Sequence, residues 1–441
     1  MTGDVVAFPT PRQTIPDNPV DVANMLVDIE MMNKDALLTV ALHNDKTLVW
    51  NDHKFILREK TYVQKRLIHF VDGAWTDGGK KGDIPFVLTS GFLSVAIKAV
   101  EARISEGLDH TKPLPQWRDL SRTNGAYNNP FGNNEESNYI LSFPNGLVHL
   151  LSREHVVNTP AYVNIGGAEY EYDATASREK WMNSLPVWFG KDQESIDALQ
   201  EAYGLSLIPN FRHERMPCII GEPGIGKRML AMILTHLPGE ENVASATLQS
   251  VANGFGFENW EDKSIAIFRD ARISSGKFND IQAAFSMLLS IISGEPMPFN
   301  RKYKRMVDAL LRTHVWYFSN EIPYFSDFSL AVVRRLLVIM MRDWKAEKDA
   351  PPININLLDE LIQELPGILN WASDGLKRLM ERGNFIQPKS GYALLKEIQY
   401  KSCPDLEFID THLIFEPNGE TFIEDLKSQY AMWLHSKGLE H

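Results

Sequence analysis

Apolar positions recur at helical spacing through NPVDVANMLVDIEMMN and predict a helix opening after Asn18. In TLVWNDHKFILRE, two apolar runs flank Asn51-Asp52-His53, the pattern of a hairpin. GFLSVAIKAVEARISEGL predicts another helix. Between 111 and 137 the periodicity fades: HTKPLPQW and NGAYNNPFGNNEES are dense in turn formers, as expected of a flexible insertion or a domain edge. Residues 138–170 break into short strands, with turns at Pro144-Asn145-Gly146 and Gly166-Gly167. SREKWMNSLPVWFGKDQESIDALQEAY predicts two helices divided near Phe189-Gly190. From 205 to about 345, apolar strands alternate with helices, which points to an α/β core. Residues 353–384 and 421–438 predict further helices.

A chain of 441 residues has room for about two to four domains. The pattern divides it into a Pro-rich lead-in over 1–17, an N-terminal α+β domain over 18–170, a helical collar over 171–204, an α/β core over 205–350 and a helical module over 351–441. The formal charge of −12 argues against a coat of positive potential, yet leaves room for a local basic loop on nucleic acid. Two cysteines, Cys218 and Cys403, cannot form a disulfide framework or a zinc site alone, and fit a reducing cytoplasm. No apolar run reaches the roughly 18 residues of a membrane helix, so no membrane partner is expected. The opening MTGDVVAFPTPRQTIPDNP lacks the charged-then-apolar pattern of an export signal. The closing Leu439-Glu440-His441 reads as the start of a vector-encoded histidine tag, so the native C-terminus is expected further on.

CIIGEPGIGKRMLAMIL, from Cys218 to Leu234, reads as strand, glycine-rich loop and helix. The loop residues Gly221, Glu222, Pro223, Gly224, Ile225, Gly226, Lys227 and Arg228 contain G-x-x-x-x-G-K. Glycines there let the backbone turn its N–H groups inward as an anion nest, the lysine reaches β- and γ-phosphates, and the helix points its positive end at them. The string alone is a weak signal; the strand before it and the helix after it strengthen it. Arg228 stands where a Ser or Thr hydroxyl ordinarily holds magnesium.

A nucleotide site also needs an acid at the end of a neighbouring strand. KSIAIFRDARI ends its apolar run at Asp270, which either holds magnesium or is an ordinary strand-ending aspartate. THVWYFSNEIP ends in Asn320, whose amide either orients an attacking water or simply forms a turn before Pro323. LAVVRRLLVIMM sets Arg334 and Arg335 beside a very apolar strand; they are surface arginines or a cation reaching another subunit's γ-phosphate. In NRKYKR, the cations Arg301, Lys302, Lys304 and Arg305 surround Tyr303, which suits a strand backbone and a stacking base as well as it suits a solvated face.

Taken together, these segments resemble the C-terminal helicase part of phage and plasmid primase–helicases, superfamily 3 helicases of the poxvirus and phage primase type on an AAA+-like core. The resemblance runs from about Tyr172 to Ser390. It rests on YDATASREKWMNSLPVWFGKDQESIDALQEAYG before the loop, TLQSVANGFGFENWEDKSIAIFRDARIS, LLSIISGEPMPFNRKY, FSNEIPYFSDFSLAVVRRLLVI and PGILNWASDGLKRLMERGNFIQP. SFPNGLVHLLSREHVVNTPAY resembles the cap domain that precedes it. The fold this implies is an α/β, AAA+-like P-loop NTPase core with an N-terminal α+β cap domain and a small helical or winged-helix-like C-terminal module.

The function it implies is an ATP-dependent replicative helicase of a phage or mobile element, a ring, often a hexamer, that translocates on single-stranded DNA with ATP and Mg2+ as cofactors. Loop and acid come from one subunit and an arginine from the next. By matching positions, Lys227 carries the phosphate role, Asp270 the magnesium role, Asn320 the sensor role and Arg335 the finger role, with Lys302 a DNA contact. Three departures stand out: Arg228 for a hydroxyl, Pro296 where the pattern has an acid after Glu295, and Ala271 in place of a second acid. They leave the water-activating base open between Glu295 and Glu321. No primase domain is legible before residue 170, so the expectation is a stand-alone helicase or a helicase expressed apart from a primase partner. Two other readings fit the same residues: an AAA+ loader or remodelling ATPase acting on replication proteins, and a nucleotide-binding replication scaffold with little turnover.

Overall fold

The structure, a computed structural model, describes residues 13–120, 129–132, 134–209, 213–252, 257, 260, 263–269, 278–295, 297–299, 307–309, 311–322, 330–417 and 419–438. The chain divides into two compact units, one of Met1–Thr175 with His236–Asn242, the other of Ala176–Thr235 with Val243–His441.

In the first unit, α1 (Pro19–Glu30) opens where the pattern predicts. Asn18 caps it, accepting from the Val20 amide at 2.8 Å, and Pro19 at the first position needs no hydrogen-bond partner for its nitrogen. A three-stranded antiparallel sheet follows: β1 (Val40–His43), β2 (Lys46–Trp50) and β3 (Phe55–Arg58). The β1–β2 turn puts Asn44 and Asp45 at φ +48° and +62°, the left-handed pair that matches the twist of a two-residue hairpin. Next come α2 (Tyr62–Val71), the hairpin β4 (Trp75–Asp77) and β5 (Asp83–Pro85), and α3 (Ser90–Ile104). Val22, Leu26, Val63, Leu67, Val100 and Ile104 bury one face of each helix in a common core.

The short strands β6 (Gln116–Trp117), β7 (Ile140–Phe143), β8 (Gly146–His149), β9 (His155–Val156) and β10 (Tyr162–Val163) complete the unit's sheets. The excursion His236–Asn242 is fastened here: the Tyr170 hydroxyl donates to the Leu237 carbonyl at 2.9 Å. The Lys54 ammonium, its side chain only 4% exposed, pairs with both Glu169 and Glu241. Burial alone would lower its pKa, but the two carboxylates overcome that and raise it.

The second unit carries α4 (Glu179–Phe189), α5 (Gln193–Leu205), β11 (Met216–Ile220), α6 (Lys227–His236, up to Thr235), β12 (Val243–Ala246), α7 (Leu248–Ala252), β13 (Ile265–Arg269), α8 (Phe278–Ile292), the hairpin β14 (Met297–Phe299) and β15 (Val307–Ala309), β16 (His314–Ser319), α9 (Leu330–Val333) and β17 (Leu336–Met340). Its heart is a five-stranded sheet in the order β12-β13-β16-β11-β17, parallel throughout. Because both faces are covered, β11, β13, β16 and β17 are almost unbroken apolar runs. Cys218, Phe268, Tyr317 and Val338 pack with Phe285 and Leu288 of α8 and with Leu395 of a later helix. On the other face Trp316 meets Tyr203, Tyr203 meets Trp181 and Trp371, and Trp181 meets Trp371, with ring centroids 5.1–5.9 Å apart. Burying each such ring contributes about 2–3 kcal/mol, so this aromatic stack fixes α4 and α5 firmly on the sheet.

Beyond β17 come α10 (Leu357–Gln363), α11 (Leu365–Arg382), α12 (Lys389–Ser402), α13 (Pro404–His412) and α14 (Ile423–Ser436). Glu201 on α5, its side chain 2% exposed, receives Arg378 and Arg382 from α11. Among the described residues no strand follows Met340. The C-terminal segment is therefore helical, and the winged-helix expectation is corrected: chain beyond Met340 carries helical periodicity and little of the alternation a wing requires. Among the described residues no helix is long and apolar enough to cross a membrane.

Candidate functional site

The site grows out of the carboxyl edge of the parallel sheet. From β11 the chain crosses to β12 at the far edge, returns through β13 and β16, and then crosses β11 to reach β17. Connections leaving in opposite directions open a crevice at the strand ends, the usual place for a ligand in such sheets. Ile220 and Ser319 pair at this edge as β11 and β16 end.

Gly221–Gly226 fill the crevice mouth, and their geometry explains the glycines. A Cβ on Gly221 would lie 2.5 Å from Ile225 Cδ1. Gly224 and Gly226 sit at φ +80° and +123°, conformations that side chains other than glycine strain to adopt. A Cβ on Gly226 would also lie 2.6 Å from the indole nitrogen of Trp188. Trp188 cannot readily retreat, being buried and packed on Trp181 at 5.9 Å. The Trp344 indole N–H donates to the Ile225 carbonyl at 2.8 Å, one residue before Gly226.

The helix α6 then begins at Lys227, with Leu230, Ile233 and Leu234 anchoring it in the core. The Lys227 ammonium donates to the carbonyls of Gly221 at 2.5 Å and Glu222 at 2.7 Å, and to Asn320 Oδ1 at 2.8 Å. Two residues ninety-three positions apart thus meet at adjacent strand ends. Arg228 is exposed in the first turn of α6. Burial lowers the Arg269 guanidinium pKa, and the charge of Arg228 lowers it further, so these two cations are neighbours. Lys345 is exposed and reaches Gly224 from the segment after β17. The crevice mouth thus carries Lys227, Arg228, Arg269 and Lys345 beside the exposed acids Glu222 and Glu321, with α6 aiming its amino end into it, as suits an anion.

The structure brings together Gly221, Glu222, Pro223, Gly224, Ile225, Gly226, Lys227, Arg228 and Asn320. Glu321 is exposed and follows Asn320 directly, whereas Glu295 lies just past the carboxyl end of α8. Arg335 falls at the opposite edge of the sheet: it precedes β17, its carbonyl accepts from the Met216 amide at 2.8 Å, and its Nε lies 3.9 Å from Glu214. A five-residue strand separates that edge from the loop by about 16 Å. Arg334 is exposed beside it. Asp270, Ala271, Pro296 and the cluster Arg301, Lys302, Tyr303, Lys304 and Arg305 lie outside the described residues. Among the described residues no three His, Cys, Asp or Glu side chains gather as a metal site. Trp188, Arg269, Trp344 and Lys345 were not singled out from the sequence. They lie far along the chain from the loop residues they meet, Trp344 being 119 positions from Ile225, and no local pattern joins them to it.

Fold and site together define an α/β chain with a glycine-rich loop and several cationic side chains at the switch point of a parallel sheet. Residues 219–335, which span the loop, Asn320 and Arg335, match a family of unknown function, DUF5906. Among solved structures, an A-form apo structure of the NrS-1 C terminal region aligns over 94% of this chain and 86% of its own, at 13% identity and a TM-score of 0.50. Two further apo structures of that region cover the same shares at 14% identity, with TM-scores of 0.47 and 0.49. At such identity the likeness is one of fold.

Proposed function

We propose that this chain is an ATP-dependent DNA helicase of phage or mobile-element replication, built on an AAA+-like P-loop core of the superfamily 3 type and working as a head-to-tail ring, often hexameric. The observation that carries this reading is the Lys227–Asn320 hydrogen bond at paired ends of β11 and β16, beneath a glycine loop that opens a helix. What supports a triphosphate is the positive φ at Gly224 and Gly226, on which an inward-turned nest of amides depends, together with the cations Lys227, Arg228, Arg269 and Lys345 nearby. Mg2+ would shield phosphate charge; among the residues of this chain, Asp270 is the one proposed to hold it.

Lys227 is the residue that moves. Its ammonium exchanges the carbonyls of Gly221 and Glu222 for β- and γ-phosphate oxygens, which form stronger, charge-assisted bonds. Asn320, released from Lys227, is free to orient a water near the terminal phosphate. Arg335 cannot serve the loop of its own chain from the far sheet edge. A second copy docked with that edge against the first copy's crevice would deliver it, and head-to-tail contacts of this kind close into rings. The basic cluster Arg301–Arg305 would then grip single-stranded DNA.

Steady-state ATP hydrolysis with and without single-stranded DNA, joined to strand displacement, tests the reading. The expected result is DNA-stimulated turnover, abolished by Lys227→Ala and by Arg335→Ala. Mixing the two inactive variants should recover part of the activity, since mixed neighbours rebuild intact sites. Turnover unaffected by DNA would favour a loader or remodelling ATPase. Binding of nucleotide without turnover would favour the scaffold, a reading for which exposed Arg228 in the hydroxyl position speaks.

A further inference from the structure

The segment after β17 runs beside Trp188, whose carbonyl accepts from the Arg342 amide at 2.9 Å, and then reaches the loop. It opens with a short 3-10 turn, Trp344–Ala346. Trp344 is buried, and its indole N–H holds the Ile225 carbonyl. That bond ties the backbone at 344 to the loop. Lys345, one residue on, therefore has its backbone fixed beside the loop. Its ammonium lies 3.0 Å from the point a Cβ would occupy on Gly224, and 5.7 Å from the centre of the Trp344 ring.

What Lys345 does not do is equally informative. Arg342, three residues earlier, pairs with Glu347 at 2.6 Å. Lys345 forms no ion pair among the described residues and remains exposed. An exposed ammonium beside a left-handed glycine of the loop is within reach of an anion bound there. Gly224 itself is needed for φ +80°, and its missing side chain also leaves room for the lysine.

We propose that Lys345 is a second phosphate-binding cation, supplied by the same chain from the segment after β17, and that Trp344 is the residue that positions it. The proposal rests on the reading of the loop as a nucleoside triphosphate site. Lys227 meets the phosphates from within the loop, and Lys345 meets them from across Gly224. A clamp of this kind distinguishes triphosphate from shorter anions, because two separated cations require a longer chain of phosphates to satisfy both.

The test is titration of the full chain with fluorescent ATP and with fluorescent AMP, comparing wild type, Lys345→Ala, Lys345→Arg and Lys227→Ala. Lys345→Ala should weaken ATP about tenfold, the loss of one charge-assisted contact, and should change AMP affinity less. Lys345→Arg should recover most of the loss. Thermal unfolding without nucleotide should be unchanged in both variants, because Lys345 is exposed. Wild-type ATP affinity in Lys345→Ala, alongside lost affinity in Lys227→Ala, would overturn the proposal and leave the loop reading intact. No ATP binding by wild type would overturn the loop reading itself.

Discussion

Gly226→Ala puts the loop under two separate stresses. The first is backbone: a residue with a side chain at φ +123° carries strain of about 1–3 kcal/mol. The second is contact: the new Cβ would lie 2.6 Å from the Trp188 indole nitrogen and 3.0 Å from its Cδ1, an overpacking that costs about 1–3 kcal/mol more. Relief by rotating Trp188 is closed, since its ring is buried against Trp181. Either the protein loses about 2–6 kcal/mol, or the loop shifts and the anion cradle opens. Urea unfolding and fluorescent-ATP binding, read on the same preparations, separate the two routes. Gly383→Ala is the control: Gly383 also has a positive φ, +84°, but a Cβ there meets nothing within 4 Å, so about 1–2 kcal/mol of backbone strain is the whole expected cost. Gly226→Ala should exceed this control in lost stability, or lose ATP binding that the control keeps. A Gly226→Ala protein as stable as wild type, with unchanged ATP affinity, would refute the steric account of the loop.

Two further outcomes follow from buried charge. Glu201→Ala leaves Arg378 and Arg382 without the carboxylate they share; because both arginines retain some exposure, the loss should fall near the lower end of the ~3–5 kcal/mol range, and a shift below about 0.5 kcal/mol in urea unfolding would contradict it. His314 is buried with Nε2 bound to the Ile208 carbonyl at 2.7 Å, and burial, aided by nearby His213, lowers its pKa from 6.5 to about 4. The folded state therefore holds it neutral: its contribution is fully present above about pH 6.5 and disappears as pH falls toward 4, a loss of about 3 kcal/mol. Urea midpoints measured across that window should drop more steeply for wild type than for His314→Gln, and parallel curves would remove His314 as the cause.

Much of the architecture was legible because it is written locally. Asn18-Pro19 announces α1, the break at Phe189-Gly190 separates α4 from α5, and the unbroken apolar runs at 216–220, 265–269, 314–319 and 336–340 become the strands of the parallel sheet. The glycine loop and Asn320 were each visible, but only the pairing of β11 with β16 brings them into contact. What escaped was carried by distant contacts or by weaker turns. Asn44-Asp45 makes the β1–β2 hairpin without the glycine that marks such turns, so β1 went unread. Lys54 looks like a surface lysine until Glu169 and Glu241 close over it. The excursion of His236–Asn242 into the first unit leaves no periodic trace. That Trp188 and Trp344 both meet the loop depends on how α4 and the segment after β17 pack, which spacing along the chain does not encode.

The central claim is that Lys227 and its glycine cradle bind a nucleoside triphosphate. Titrating the purified chain with ATP by calorimetry, beside Lys227→Ala, tests it most directly. The account predicts saturable binding by wild type and its loss in the variant, with the unfolding temperature of wild type raised by ATP. Absence of binding at millimolar ATP, or equal binding by Lys227→Ala, would contradict it.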